Sequence, residues 1–197
     1  MNSTDWDRRY EKKELVWSAG PNQFVVKEVS SLKAGRALDV ACGEGRNAIW
    51  LCEQGWKVKA LDYSAVAIEK AKARGRELNL EIDWQVADAT TDIQGEYELI
   101  LFIYLHLPAE QTKKSLALAS DALAPGGTLL LIGHDARNIK EGIGGPQDPS
   151  ILFGPDELRT MLPNLTIERA ETLKRAVDKD GQTHHALDVL IRATKQH

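Results

Sequence analysis

From residue 36 onward the chain alternates short apolar runs with longer stretches whose apolar positions recur at helical spacing. Residues 37–40, 57–61, 82–86, 97–103 and 128–132 read as strands, and the run 97–103 is so uniformly apolar that it predicts a central strand covered on both faces. Between them, 48–52, 65–76 and 109–123 read as helices, the second capped by Ser64, and 124–127 (Ala-Pro-Gly-Gly) as a sharp turn. Before the first strand, Thr4 or Asp5 caps a short helix carrying Trp6 and Tyr10 on one face, and 23–32 forms a second helix with Val25, Val26 and Val29 inward. The pattern breaks over 134–155, which is Gly- and Pro-rich and aperiodic, and a short helix over 156–162 follows. Two last strand-like runs, 166–175 and 185–194, flank Asp180-Gly181, a hairpin signal.

Repeated strand–helix units ending in a hairpin predict an α/β fold. The expected sheet is Rossmann-like, doubly wound, seven-stranded and mostly parallel, with an antiparallel C-terminal hairpin strand. No second domain or repeat is visible, so 1–197 is expected to be one domain, with 1–33 as a helical cap and 134–155 as a cover loop over the active site.

The first strand runs into Asp39-Val40-Ala41-Cys42-Gly43-Glu44-Gly45-Arg46-Asn47. Glycines at a strand-to-helix turn permit positive φ and let a ligand lie against the main chain at the helix start. Asp39, an acid before the glycines, suits a ligand ammonium better than a pyrophosphate. The same residues also satisfy the dinucleotide pattern Gly43-x-Gly45-x-x-Ala48, with Asp62 at the distance of a ribose-binding acid. The loop by itself leaves both readings open. Asp62 closes the second strand and can grip both ribose hydroxyls. Asp88, after the third strand, is placed to accept from a purine amine. Trp6, Tyr10 and Trp17 form an aromatic group that serves either as packing or as a lid over the cleft.

Composition narrows the classes. With 43% hydrophobic and 27% charged residues, the chain has the make-up of an ordinary globular protein. A net charge of -4 and the lack of a basic block make a nucleic-acid partner an unfavourable expectation. Two cysteines, Cys42 and Cys52, suggest neither a disulfide framework nor a zinc site, and no metal is expected. The polar, acidic start is unlike a signal peptide and no apolar run approaches membrane length. A cytoplasmic protein without a membrane partner, monomeric or homodimeric, is the expectation.

Leu38-Asp39-Val40-Ala41-Cys42-Gly43-Glu44-Gly45, the acid after the second strand, Ala87-Asp88-Ala89 after the third and Pro125-Gly126-Gly127 before the fifth stand in order. On these motifs the chain resembles the class I S-adenosylmethionine-dependent methyltransferases. That resemblance implies S-adenosylmethionine as cofactor. Ala41, Gly43, Gly45 and Asn47 would lie with Asp39 around its methionine part, Asp62 and Ser64 at the ribose, and Tyr63, Asp88, Ala89 and Ile103 at the adenine and nearby. Within that class, Gly43-Glu44-Gly45-Arg46-Asn47-Ala48 and the aromatic N-terminal segment (Trp6, Tyr10) are similar to the small tellurite-resistance and thiopurine-type methyltransferases, and Trp17 is expected beside the cofactor with them. Those methyltransferases act on small thiol or chalcogen acceptors. Arg175 and the His184-His185 pair fall where the tellurite group keeps basic residues near the acceptor, although Lys174 stands where that group has a histidine.

Methyl transfer from a sulfonium is an in-line displacement, so the protein must chiefly align the acceptor and exclude water. The residues expected on the acceptor side are Tyr104 and His106 after the fourth strand and His134 after the fifth, with Arg175 and His185 at the hairpin. Their partner would be a small-molecule acceptor, a thiol, chalcogen oxyanion or similar. An NAD-dependent oxidoreductase using the same loop, or a noncatalytic S-adenosylmethionine-binding module, are the competing expectations. The first gives no reason for Asp39 or Asp88.

Overall fold

A computed structural model describes residues 3–11, 15 and 20–196; Trp17 lies outside the described residues. Seven strands form one sheet in the order β3-β2-β1-β4-β5-β7-β6. They are β1 (Arg36–Val40), β2 (Lys57–Asp62), β3 (Asp83–Val86), β4 (Tyr97–Ile103), β5 (Leu123–His134), β6 (Thr166–Lys179) and β7 (Gln182–Thr194). Pairing is parallel from β3 through β5, and β7 runs antiparallel to both β5 and β6. The expected Rossmann-like sheet with one reversed hairpin strand is therefore what the chain forms.

The helices are α1 (Ser3–Glu11), α2 (Gln23–Val29), α3 (Arg46–Glu53), α4 (Ala65–Glu77), α5 (Ala109–Ala122), α6 (Asn138–Glu141) and α7 (Pro155–Thr160). Two apolar clusters sandwich the sheet. Leu38, Ile100, Phe102, Leu129 and Ile191 meet α5 and α7 on one face, whereas Val58, Ala60, Leu99, Leu101 and Leu130 meet α2, α3 and α4 on the other. Alternation along β1 and β4 sorts side chains between these faces, as period-2 geometry requires of strands buried on both sides.

Three departures from the sequence reading have local causes. Residues 124–127 do not precede β5 but bulge within it, since Tyr97 pairs with Leu123 and Leu99 with Thr128. Gly126, at φ +74°, absorbs the detour. The hairpin strands are longer than expected because Asp180 and Gly181, both left-handed, close a tight turn between Lys179 and Gln182. The stretch 134–155 carries α6 and a 3-10 turn (Pro149–Ile151), so short local hydrogen-bonding signals replace the missing periodicity. Pairing of β7 with β5 ends at Asp188–His134, so 182–187 project past the carboxyl edge of the sheet. No helix among the described residues is long and apolar enough to cross a membrane.

Candidate functional site

The carboxyl ends of β1, β2, β4 and β5 and the projecting hairpin lie along one edge of the sheet. At its centre Asp39, near the end of β1, is 1% exposed, and neither carboxyl oxygen has a hydrogen-bond partner among the described residues. Burial pushes its carboxyl up to about 7, against the pull of the Arg46 guanidinium and the Ala48 amide. Even with Arg46 nearby, a carboxylate this deeply buried is costly unless a further cation meets it.

The turn after Asp39 is left-handed at Ala41 (φ +57°), Gly43 (+55°) and Gly45 (+78°), and Gly45 starts α3. The structure gives Gly45 a second reason beyond ligand approach. A Cβ there would meet the Trp84 indole of β3 at 2.4 Å, so the glycine is also the contact where the helix start packs on the sheet. Asp62 accepts from the Gly43 N–H and the Ser64 N–H, each at 2.9 Å. Burial raises its pKa, and those two amides lower it. The strand-end acid thus pins the glycine turn while part of its acceptor capacity remains.

Several residues expected at the ligand also have partners within the fold. Ser64 is fully buried; its hydroxyl accepts from Ala67 N–H as the α4 cap and donates to Asp7 at 2.5 Å. Asn47 accepts from the Asn22 N–H at 2.9 Å and so fastens the start of α2 to α3. Asp88 is exposed, and one oxygen accepts from both the amide and the hydroxyl of Thr90. Ala89 and Ile103 are buried beside it and at the end of β4. Tyr63, between Asp62 and Ser64, is titrated upward by burial and then by Asp62 and Asp88. Trp6 and Tyr10 stack at 5.9 Å on α1, with Tyr10 buried. Lys70 of α4 donates to the Tyr10 carbonyl at 2.5 Å, which, with Asp7, docks α1 on the start of α4.

The acceptor side is a separate, internally bonded cluster. Tyr104 is left-handed at φ +58°, a strained state for an aromatic residue that is typical of functional sites. Its hydroxyl donates to Asp188 at 2.8 Å, and Arg175 donates to the same carboxylate at 2.6 Å while lying 5.8 Å from the Tyr104 ring. Burial, then Asp188, raises the phenol well above its ordinary value. The His134 ring sits 4.9 Å from Tyr104 and 5.2 Å from His106.

His106, expected on the acceptor side, has its Nε2 lone pair engaged. Its Nε2 accepts the His134 backbone N–H at 3.2 Å and lies 3.4 Å from His134 Nδ1. Burial, then His134, drives its pKa down to about 4. His134 is also lowered by burial, with Asp188 opposing the shift and Arg175 adding to it. His185 is placed differently from the expectation. It lies an odd number of residues from Asp188, hence on the opposite face of β7, and is exposed; His184 shares the site face with Asp188. A narrow apolar slot between His106, Leu131, Phe153 and Val189 adjoins the pair. A larger groove of about 730 Å³ runs along the β2–β3 side of the sheet, shares Trp84 with the glycine turn, and mixes Lys57 and Lys59 with Glu81 and Asp83.

Two residues escaped the sequence reading. Asp188 is fully buried inside the apolar run 186–191, and that isolation was its signal. Arg46 opens α3, where a cation opposes the helix dipole, so its presence there needed a reason. It is half-buried, where its charge acts on Tyr104, Asp39 and Arg175.

A glycine turn and strand-end acids at the carboxyl edge of a doubly wound sheet define the class. Comparison supplies the family. A family model described as "Methyltransferase domain" matches residues 37–127. Glycine/sarcosine N-methyltransferase of Halorhodospira halochloris is 32% identical over 143 residues, 68% of this chain and 48% of that one. TehB of Haemophilus influenzae superposes with a TM-score of 0.77 at 19% identity, over 96% of this chain and 66% of that one. NodS of Bradyrhizobium japonicum, an N-methyltransferase solved with S-adenosyl-L-homocysteine, gives 0.75 at 17% identity over 100% of both chains. The chain belongs to the class I methyltransferases, whose cofactor is S-adenosylmethionine. It spans about half the length of the curated relatives it matches.

Proposed function

We propose that this protein binds S-adenosylmethionine at the carboxyl edge of β1, β2 and β3 and methylates a small-molecule acceptor held at Tyr104 and His134. Asp39 carries the reading: a buried carboxylate with two unpartnered oxygens calls for a cationic ligand. A dinucleotide offers none at its pyrophosphate, whereas the cofactor's methionine part presents an ammonium. When bound, the cofactor supplies a sulfonium methyl with a good leaving group. Asp39 takes the ammonium. The main chain of 41–45 lies along the methionine part, and the remaining lone pairs of Asp62 meet the ribose. Tyr63 and the second oxygen of Asp88 border the adenine, with Ala89 and Ile103 as apolar walls. Trp6 and Tyr10 of α1 cover the cofactor side.

On the acceptor side His134 is the proton acceptor where the nucleophile needs one, because the His106 lone pair is already engaged. Tyr104, fixed by Asp188, orients the acceptor. A thiol or chalcogen nucleophile suits the neutral, half-buried histidines, since a soft acceptor ionises easily and needs little basicity. A second reading, the amine of a small amino acid, is favoured by Arg175. Its guanidinium, held by Asp188 through Nε and Nη2, places positive charge beside Tyr104, which suits a substrate carboxylate.

Calorimetric titration with S-adenosylhomocysteine and, separately, NADH tests the assignment. Wild type should bind the first alone, and Asp39→Ala should lose about 100-fold or more in affinity, as when one partner of a buried charged pair is removed. Binding of NADH alone, or an unchanged affinity in the variant, overturns it. Thiols, chalcogen oxyanions and small amino acids are then compared as acceptors by S-adenosylhomocysteine release.

A further inference from the structure

His134 is held from a side that its role as proton acceptor does not require. Gly145 lies flat on its imidazole: a Cβ at Gly145 would fall 2.6 Å from Cδ2 and 2.8 Å from both Cγ and Nε2. Gly145 reaches this position at φ +74°, next to Gly144 at +70°. The loop that carries both glycines is fastened by Asn138, which is 1% exposed. Asn138 Oδ1 accepts from the Leu187 N–H of β7 at 2.7 Å, and its Nδ2 donates to the Gly144 carbonyl at 2.9 Å and the Ile143 carbonyl at 3.4 Å. The Ile143 N–H donates in turn to the His185 carbonyl at 3.2 Å. Gly142 completes the fit, since a Cβ there would overlap Asn138 Oδ1 at 2.0 Å. Asparagine suits this position because one short side chain must accept from one strand and donate to the loop.

We propose that Asn138 and Gly145 are positioning residues for His134. Asn138 latches residues 142–145 to β7, and the bare Cα of Gly145 presses the imidazole into the orientation that keeps Nδ1 toward His106. The catalytic consequence rests on the assignment of His134 above; the clamp itself does not. The groups that set the His134 charge are Tyr104 and His106 beyond β4, Asp188 on β7 and Arg175 on β6. The loop adds glycine backbone at the ring. A ring freed from the clamp meets water, and its titration rises toward that of an ordinary histidine.

The two neighbouring glycines give a matched control. Both are left-handed, so alanine strains the backbone equally at either, but a Cβ at Gly144 meets nothing within 4 Å. Histidine-selective NMR titration of the ligand-free protein, with His134 assigned from His134→Gln, reads the ring directly. Gly145→Ala should move the His134 midpoint upward by about half a pH unit or more, and Gly144→Ala should leave it in place. Gly145→Asn, in which the side chain tolerates left-handed backbone, repeats the test should the alanine variant not fold. Asn138→Ser, neutral and too short to span loop and strand, should shift the midpoint in the same direction. With an acceptor, Gly145→Ala should lower kcat about tenfold while S-adenosylhomocysteine affinity stays within about twofold. A His134 titration identical in wild type, folded Gly145→Ala or Gly145→Asn, and Asn138→Ser overturns the clamp. A shifted titration with unchanged kcat keeps the clamp and overturns the role of His134 in transfer.

Discussion

The two halves of the cleft solve opposite problems. Around β1 and β2 the polar groups await a partner: Asp39 is buried with both oxygens open, and its burial holds its carboxyl up to about 7. Around β4, β5 and β7 the polar groups complete one another. Asp188 takes Tyr104 and Arg175, and His106 takes the His134 amide. One half is destabilised until a ligand arrives, and the other is preorganised without one. Binding energy and chemistry are therefore separable by mutation.

The largest effect falls on the open half. Asp39→Asn should abolish measurable S-adenosylhomocysteine binding yet raise the stability of the ligand-free protein. The sign follows from linkage. A carboxyl raised from the ordinary range to about 7 retains its proton in the folded state, so ionisation costs stability increasingly from about pH 4 to 7, and the full cost is present above pH 7. That cost is on the order of a few kcal/mol, at about 1.4 kcal/mol per pKa unit. Thermal unfolding at pH 8 should show the asparagine variant melting higher than wild type. In wild type, affinity for S-adenosylhomocysteine should climb as pH rises toward 7 and level off above it. A pH-independent affinity would remove Asp39 from the ammonium site.

A smaller loss is expected from the closed half. Asp188→Asn leaves Arg175, with 24% of its side chain exposed, without its carboxylate, and weakens the hold on the Tyr104 hydroxyl. Full burial would make this a loss of about 3–5 kcal/mol, and partial exposure of the arginine reduces it to roughly 2 kcal/mol. Denaturant unfolding should register that loss while calorimetry finds cofactor affinity within about threefold of wild type. Equal damage to binding and stability would mean that the halves are one coupled network.

The same contrast explains what was legible in the sequence. On the open side each acid follows its own strand, so Asp39, Asp62 and Asp88 could be found from local order, and the strand–helix rhythm carried the sheet. Their chemistry was less legible than their positions. Ser64 and Asn47 looked like ligand contacts but hold α1 and α2, through Asp7 and Asn22 in segments distant in sequence. The closed side gathers residues 104, 106, 134, 145, 175 and 188 across β4, β5 and the hairpin. Nothing in local spacing told which face of β7 would look inward, so His185 was named where His184 shares the face. His106 and His134 were both visible, but which lone pair stays free depends on a backbone amide contributed from another strand.

The smallest effect lies where α1 meets the open half. Asp7 accepts from the Ser64 hydroxyl at 2.5 Å and from the Val66 N–H at 3.3 Å, adding a second acceptor to the start of α4. Ser64 still caps the helix without it, so Asp7→Ala should cost no more than about 1 kcal/mol of stability, the usual worth of a cap. Asp7 also raises the Asp62 carboxyl, so its removal makes Asp62 easier to ionise and a better acceptor for ribose hydroxyls. The two consequences oppose each other in the rate of release. Loss of the α1 anchor speeds dissociation if Trp6 and Tyr10 cover the cofactor, whereas a better Asp62 slows it. Stopped-flow release of S-adenosylhomocysteine should run several-fold faster in Asp7→Ala, with Asp7→Asn, which keeps an acceptor for Ser64 and Val66, close to wild type. Slower release in the alanine variant would mean that α1 contributes to this site through charge alone and that its aromatic residues are packing.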